Sequence, residues 1–464
     1  MATAIAEQQN QAAIDPEVLQ EFRELVGGNV ILPGDETYDA ARRVWNGMID
    51  KRPELIVRAR GVADIRQTVT FARENGLSLT IKGGGHNVAG HAVSDGGLTL
   101  DLGQMRAVWV DPVARTARVQ GGALWADVDR ETGAFGLATT GGVIASTGVA
   151  GLTLGGGIGW LVGKHGMTID NLLAVDLVTA AGEFVTASAT SHPDLFWALR
   201  GGGGNFGVAT SFEFALHPQG DVLAGFVAWP IAQAREVLAF FRDYTATAPE
   251  ELTVYAELVK DAESGDRVIA LACCWPGDSA EGERVLAPLR TFGTPVAKMV
   301  ELMPYPVWQQ AFEDEFPHGR RYYWKSVLLR DLPDEVLDAA VTYGTNPPAP
   351  WSAAVFEFYR GPMNRVDPAA TAFAHRDAHY QFIAVSASDD PADDARGIAW
   401  ARHLHAKAEP YALNGAFLNF NSADAVERRD RVRTGYGENW ERLVAVKRRY
   451  DPTNVFHENN NIVP

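Results

Sequence analysis

The chain has 464 residues, 46% of them hydrophobic and 21% charged, the composition of a folded protein with two or three domains or subdomains rather than a disordered one. A net charge of −17 argues against a nucleic-acid or anionic-membrane partner, although backbone amides still bind phosphates inside an acidic protein. The only cysteines are the neighbours Cys273 and Cys274, which read as buried strand residues and form neither a disulfide framework nor a zinc site.

At the N-terminus there is no basic stretch followed by an apolar one, and no apolar run reaches about 18 residues, so the expectation is a cytoplasmic protein without a membrane span. Residues 15–25 read as a helix with Val18, Phe22 and Leu25 on one face. A strand is expected at 55–59 and a helix at 62–75, with Ile65, Val69 and Ala72 at helical spacing and Gly76 as its stop. A second strand at 77–81 completes a β-α-β unit. It delivers Lys82-Gly83-Gly84-Gly85-His86-Asn87-Val88-Ala89-Gly90-His91 at a strand's C-terminal end. Glycines there let the backbone approach a bulky planar or phosphorylated ligand, and a nucleophilic imidazole beside them can bond to it. The alternative for His86 is a surface histidine after a tight turn.

Further strands are expected at 98–102, 108–110 and 116–120, a helix at 124–133, a hairpin from 173–178 and 182–185, and a short helix at 192–199. The glycine pattern returns three times: from Gly141 and Gly142 through Ile144 and Thr147 to Gly148 and Gly151, then at Gly155-Gly156-Gly157-Ile158-Gly159, then from Gly201 through Asn205 to Gly207 and Val208. A Rossmann fingerprint is a single strand–glycine–helix unit with an acidic residue about 20 positions on, and no such unit opens this chain. Four dispersed loops suggest a long ligand threaded between subdomains, the shape of a dinucleotide. Beyond Gly220 glycine thins out, and strands at 222–227, 252–258 and 268–274 alternate with helices, as in an α+β domain with an antiparallel sheet. Residues 388–394 read as a loop and helix start, and 440–450 as a helix.

In this order the clusters resemble the FAD domain of the vanillyl-alcohol-oxidase superfamily (the p-cresol methylhydroxylase type), and the chain resembles a bacterial berberine-bridge-enzyme-like FAD-linked oxidase. The likeness takes in Gly83 to Gly90, Gly148 to Gly159, Lys164-His165-Gly166 to Asp170-Asn171, Trp197 to Val208, and Tyr450-Asp451-Pro452-Thr453-Asn454 to Asn461-Ile462. It implies an α+β protein: a two-subdomain FAD-binding domain over 1–218, a substrate domain with an antiparallel sheet over 219–410, and a segment over 411–464 that returns to the FAD domain. It implies FAD held by Lys82, Gly83, Gly84, Gly85, Asn87, Val88, Gly90, His91, Gly142, Thr147, Gly148, Gly151 and Leu152. To these it adds Gly155, Gly156, Gly157, Gly159, Asn205, Gly207, Val208, Asn459 and Asn461. In such proteins the flavin 8α-methyl is attached to a histidine that falls on His86, while His91 reads as a structural neighbour. Many relatives add a cysteinyl tether at the place of Ile144. Isoleucine forms no thioether, so a singly linked FAD is expected. Thr147 falls where relatives control oxygen access, and Leu152 where plant members often carry histidine. The alternative for Thr147 is a hydroxyl satisfying a backbone group.

The resemblance places the substrate chemistry on the strands 321–325 and 354–359 and on a returning strand at 415–420. By alternation Val355, Glu357 and Tyr359 share a face, so a carboxylate and a phenol can relay a proton; an exposed strand face is the alternative. Relatives often carry a basic tyrosine in the returning strand, where this chain has Phe417 and Phe420, which shifts weight to Glu357 or Tyr323 and towards an apolar or aromatic substrate. Asn419 can orient a polar group or be a plain strand residue. Trp324, Tyr322, Phe358, Phe382 and Phe420 fit a hydrophobic pocket, and core packing equally. The expected activity is oxidation of a small alcohol, sugar or aromatic metabolite by hydride transfer to FAD, with dioxygen as acceptor, no metal, and a monomer or homodimer. The alternative is an oxygenating flavoenzyme.

Overall fold

The computed structural model describes residues 14–413, 415–422 and 428–464. The N-terminal leader expectation therefore falls largely on residues outside those described. The helix Pro16–Leu25 starts where Asp15 accepts from the Glu17 amide at 2.8 Å, with proline in the first turn. The helix Val62–Glu74 buries Ile65, Val69 and Ala72, and Gly76 at φ +64° ends it.

A four-stranded sheet has the order Asn29–Ile31, Leu55–Arg58, Leu98–Asp101, Leu79–Lys82, its last three strands parallel. The expected β-α-β unit is present, but Leu98–Asp101 lies between its two strands. Leu55, Val57, Leu79, Leu98 and Leu100 are buried, as parallel strands covered on both faces require. A five-stranded antiparallel sheet packs beside it, in the order Val108–Asp111, Thr116–Gln120, Val208–Ala215, Leu172–Val178, Phe184–Ser188.

The third sheet has seven antiparallel strands: Ala297–Pro304, Asp221–Pro230, Arg267–Trp275, Thr253–Lys260, Ala353–Phe358, Tyr380–Ser388 and Arg321–Leu329. Side chains of the helices Ala234–Thr247, Ser279–Thr291, Asp334–Gly344 and Asp394–Ala408 join Cys273, Tyr323, Phe356 and Phe382 in one core on one face. Alternate residues point the other way: Cys274 and Tyr255 belong to a second core, with Tyr359 from the loop after Phe358. Among the described residues no helix is long and apolar enough to cross a membrane.

The expected strand at 415–420 is absent. Leu418–Phe420 is a single 3-10 turn, because the Asn421 side chain accepts from the Ser326 amide (3.1 Å) and donates to the Phe417 carbonyl (3.0 Å), occupying groups a ladder would pair. After the helix Trp440–Tyr450 the chain runs back between the sheets, and Phe456 and Ile462 enter two different cores. Its anchor is Lys447, fully buried, whose ammonium donates to Asp451 (2.6 Å) and to the carbonyls of Asn205 (2.8 Å) and Phe456 (2.9 Å).

Candidate active site

The glycine loops of the first two sheets and the open face of the third enclose a cavity of about 330 Å³. His86 enters it from the loop after Leu79–Lys82 and is held in a stack of rings. Its imidazole lies on Trp45 (centroids 4.3 Å, 19° apart), and Trp45 lies on Tyr322 (3.9 Å, 6°). Burial, helped by the adjacent His318, pushes His86 down to about 3, so the ring is neutral at ordinary pH. Its Nε2 is buried and has no hydrogen-bond partner.

Gly83, Gly84, Gly85, Asn87 and His91 line the cavity beside His86. From the second and third loops come Gly142, Thr147, Gly148, Gly151, Leu152 and Gly157, and from the fourth loop and C-terminal segment Asn205, Gly207 and Asn459. Eight other residues expected at the cofactor lie behind this lining: Lys82, Val88, Gly90, Gly155, Gly156, Gly159, Val208 and Asn461. The Lys82 ammonium donates to the carbonyls of Ala41 and Arg43 at 2.8 Å each. Val88 packs with Trp45, and a Cβ on Gly90 would come within 2.8 Å of Ile49. Gly155 faces the Asn419 amide, Gly156 faces Met167 and Phe373, and Gly159 abuts the Gly141 carbonyl. Val208 is a buried strand residue in the core of the first sheet.

The glycines thus divide into two groups. Gly84 and Gly148 touch each other: a Cβ on the first would lie 2.5 Å from the Gly148 nitrogen, and one on the second 2.4 Å from the Gly84 nitrogen. Gly151 and Gly204 are different, because a Cβ there meets nothing within 4 Å and enters the cavity. Space kept open by glycine, backbone on all sides and an orphaned imidazole nitrogen fit a flavin dinucleotide. Ile144 and Thr147 both reach the cavity, and no thiol stands there.

The sheet wall carries Glu357, whose carboxylate accepts from the Tyr359 hydroxyl; that hydroxyl also approaches the Gln381 amide oxygen at 2.8 Å. Burial pushes Glu357 up to about 7, against the pull of the Tyr359 hydrogen bond. Only the carboxylate lines the cavity, for Tyr359 lies behind it among buried side chains. Asn419 also lines the cavity and reaches the Leu152 carbonyl at 3.4 Å. Tyr323 is displaced from the expected role. It points to the helical side, where its hydroxyl accepts from Arg402 at 2.9 Å, while its neighbour Trp324 faces the cavity. Alternation puts one of two adjacent aromatics on each face, and the sequence does not say which.

Sequence reasoning missed Trp45, Tyr255, Glu257, Phe312 and Phe316, all in the lining. Tyr255 sits opposite Glu357 and Glu257 opposite Val355, so the alternation of Thr253–Lys260, once its pairing is known, is the signal that finds them. Among the described residues no group of side chains could hold a metal ion.

Such a cavity, set between the glycine loops of two sheets and the open face of the seven-stranded one, is that of a flavin-dependent oxidoreductase. Residues 53–188 match the model of an FAD binding domain, and residues 416–463 one described as berberine and berberine-like. The chain is 32% identical over 453 residues to (R)-6-hydroxynicotine oxidase of Paenarthrobacter nicotinovorans, covering 95% of this chain and 97% of that protein. The crystal structure of 6-hydroxy-D-nicotine oxidase from Arthrobacter nicotinovorans superposes with a TM-score of 0.85 at 32% identity, over 95% of this chain and 98% of that one. Glucooligosaccharide oxidase from Acremonium strictum, whose FAD is 6-S-cysteinyl and 8α-N1-histidyl, shares the fold at 24% identity (TM-score 0.86; 96% and 99% covered). The chain belongs to the berberine-bridge-enzyme-like family of FAD-linked oxidoreductases.

Proposed function

We propose that the protein is an oxidase that carries FAD on one covalent bond to His86, oxidises a small organic molecule against Glu357, and passes the electrons to dioxygen. The observation that supports this reading is the single cavity into which His86 and Glu357 open. When bound, FAD supplies the two-electron acceptor for hydride abstraction.

The chain's own groups do the rest. A neutral His86 keeps a lone pair for bond formation, and the Trp45–Tyr322 stack fixes its plane. With Ile144 in place of a thiol, no second tether forms. The Glu357 carboxylate takes the substrate proton, Tyr359 steadies its ionised form, and Asn419 orients a polar group. Phe417 and Phe420 keep water from the reacting face. Thr147 is small enough to leave a path for oxygen. A second reading, an oxygenating enzyme, is favoured by the Thr147 hydroxyl, which carries no hydrogen bond among the described residues.

Acid precipitation tests the tether: the pellet stays yellow, the intact chain gains one FAD mass, and His86→Ala loses both. A colourless wild-type pellet rejects the covalent link. Turnover under ¹⁸O₂ separates the two readings, since an oxidase yields labelled peroxide and an unlabelled organic product.

A further inference from the structure

The cavity is acidic where it meets the sheet. Glu257 is 8% exposed, and no hydrogen bond or ion pair reaches its carboxylate among the described residues. On the next strand Glu357 is 7% exposed, with only the Tyr359 hydroxyl as donor. Among the described residues no lysine or arginine lines the cavity. A buried carboxylate without a cation is costly, and a protein keeps it where something else supplies the charge.

A second observation points to a ligand. Tyr255 is 1% exposed, faces the cavity opposite Glu357, and its hydroxyl has no partner. The indole nitrogen of Trp324 is likewise unpartnered. Phe312, Phe316 and the Trp324 ring complete the enclosure, and aromatic faces favour cations. A neutral polyol offers the Glu257 and Glu357 carboxyls no counter-charge and gives the aromatic faces no cation to hold, and a flat hydrocarbon leaves the Tyr255 hydroxyl unpaired as well.

We propose that the substrate is an organic amine bound as its cation, the ammonium held by Glu257 and Glu357 with the Tyr255 phenol. This rests on the FAD-oxidase reading above and narrows it from alcohols and sugars to C–N bonds. The ammonium N–H proton passes to Glu357. The adjacent C–H bond then breaks, its hydrogen and electron pair leaving as hydride to oxidised FAD, and a C=N bond forms. Water hydrolyses this iminium to a carbonyl compound and a smaller amine.

The carboxylates respond to such a ligand. Burial raises Glu257 to about 8, with further upward pushes from Glu315 on the neighbouring loop and from Glu357, and raises Glu357 to about 7. Tyr255 and Tyr359 are held well above the usual phenol range and stay protonated. A cation favours the ionised carboxylates, so its binding near neutral pH releases protons, and its affinity climbs as pH rises through these values.

The test uses the flavin-loaded enzyme and two probes of one shape, benzyltrimethylammonium and the neutral neopentylbenzene. Calorimetry is expected to show the cation binding about tenfold or more tightly. The heat should depend on buffer ionisation, as proton release requires. Glu257→Gln is expected to abolish the preference while leaving the neutral probe unaffected, and the proton release of the wild type needs no variant at all. Equal binding of the two probes, or no proton release, overturns the proposal. Anaerobic bleaching by alcohols or sugars but not by N-methylbenzylamine also overturns it and leaves the oxidase reading standing. Preference for the cation without bleaching by any amine overturns the amine as substrate, and only a flavin that no amine, alcohol or sugar bleaches rejects the oxidase reading as well.

Discussion

Glu357 owes its usefulness to its surroundings. A carboxylate raised to about 7 is half ionised near neutrality, so it can accept a proton and give it up again. Glu357→Gln is expected to slow anaerobic flavin reduction by about 10²–10⁴-fold and to erase the limb of the pH profile that rises through about 7. Tyr359→Phe acts differently. It removes the donor that favours the ionised form, so the same limb moves to higher pH while the rate at its plateau is kept. A limb unmoved in both variants assigns it to another group. Alternation alone placed Glu357 with Val355 and Tyr359, because a strand's own period is visible in the sequence. The partners across the sheet, Tyr255 and Glu257, lie a hundred residues away and meet that strand only through register, which no local pattern encodes.

At the scale of elements the glycine loops separate two physical demands that look alike in a sequence. Gly84 and Gly148 are needed because two backbones touch, whereas Gly151 borders open space in the cavity lining. Gly84→Ala forces backbone atoms at 2.5–2.6 Å to part, which costs stability by about 1–3 kcal/mol and lowers the melting temperature. Gly151 lies in the short helix Val149–Leu154, so alanine there raises helix propensity by about 1 kcal/mol and meets no clash. Gly151→Ala is therefore expected to melt no lower than wild type without flavin, yet to take up less FAD, read as the ratio of flavin to protein absorbance. Both behaviours would be lost if all these glycines merely formed turns. The clusters, and the elements flanking them, were legible because glycine and apolar periodicity are local. The strand expected at 415–420 does not form because Asn421 diverts its hydrogen bonds, and an asparagine side chain's choice of partner depends on contacts far along the chain.

The whole molecule is joined across the cavity by a segment the sequence left unmarked. Trp45 is fully buried between His86 and Tyr322, and its indole donates to the Phe316 carbonyl at 2.9 Å. Its amide donates to the Gly85 carbonyl at 3.1 Å, and its own carbonyl accepts from Gly319 at 2.9 Å. Asn46 bridges the carbonyls of Val88 and Tyr322 at 2.8 Å each. These contacts tie the His86 loop to the edge strand of the seven-stranded sheet. Trp45→Ala is expected to cost about 3–5 kcal/mol and to release the His86 ring from its plane. Lys447→Met is the control. It leaves Asp451 buried and unpaired at a similar cost of about 3–5 kcal/mol, but its contacts are with Asn205, Asp451 and Phe456 rather than His86. If Trp45 serves only stability, apo forms of the two variants given FAD should acquire acid-stable flavin at equal rates once matched in folded fraction. The stacked geometry predicts instead that Trp45→Ala lags well behind Lys447→Met, because only there is the imidazole no longer held towards the cavity.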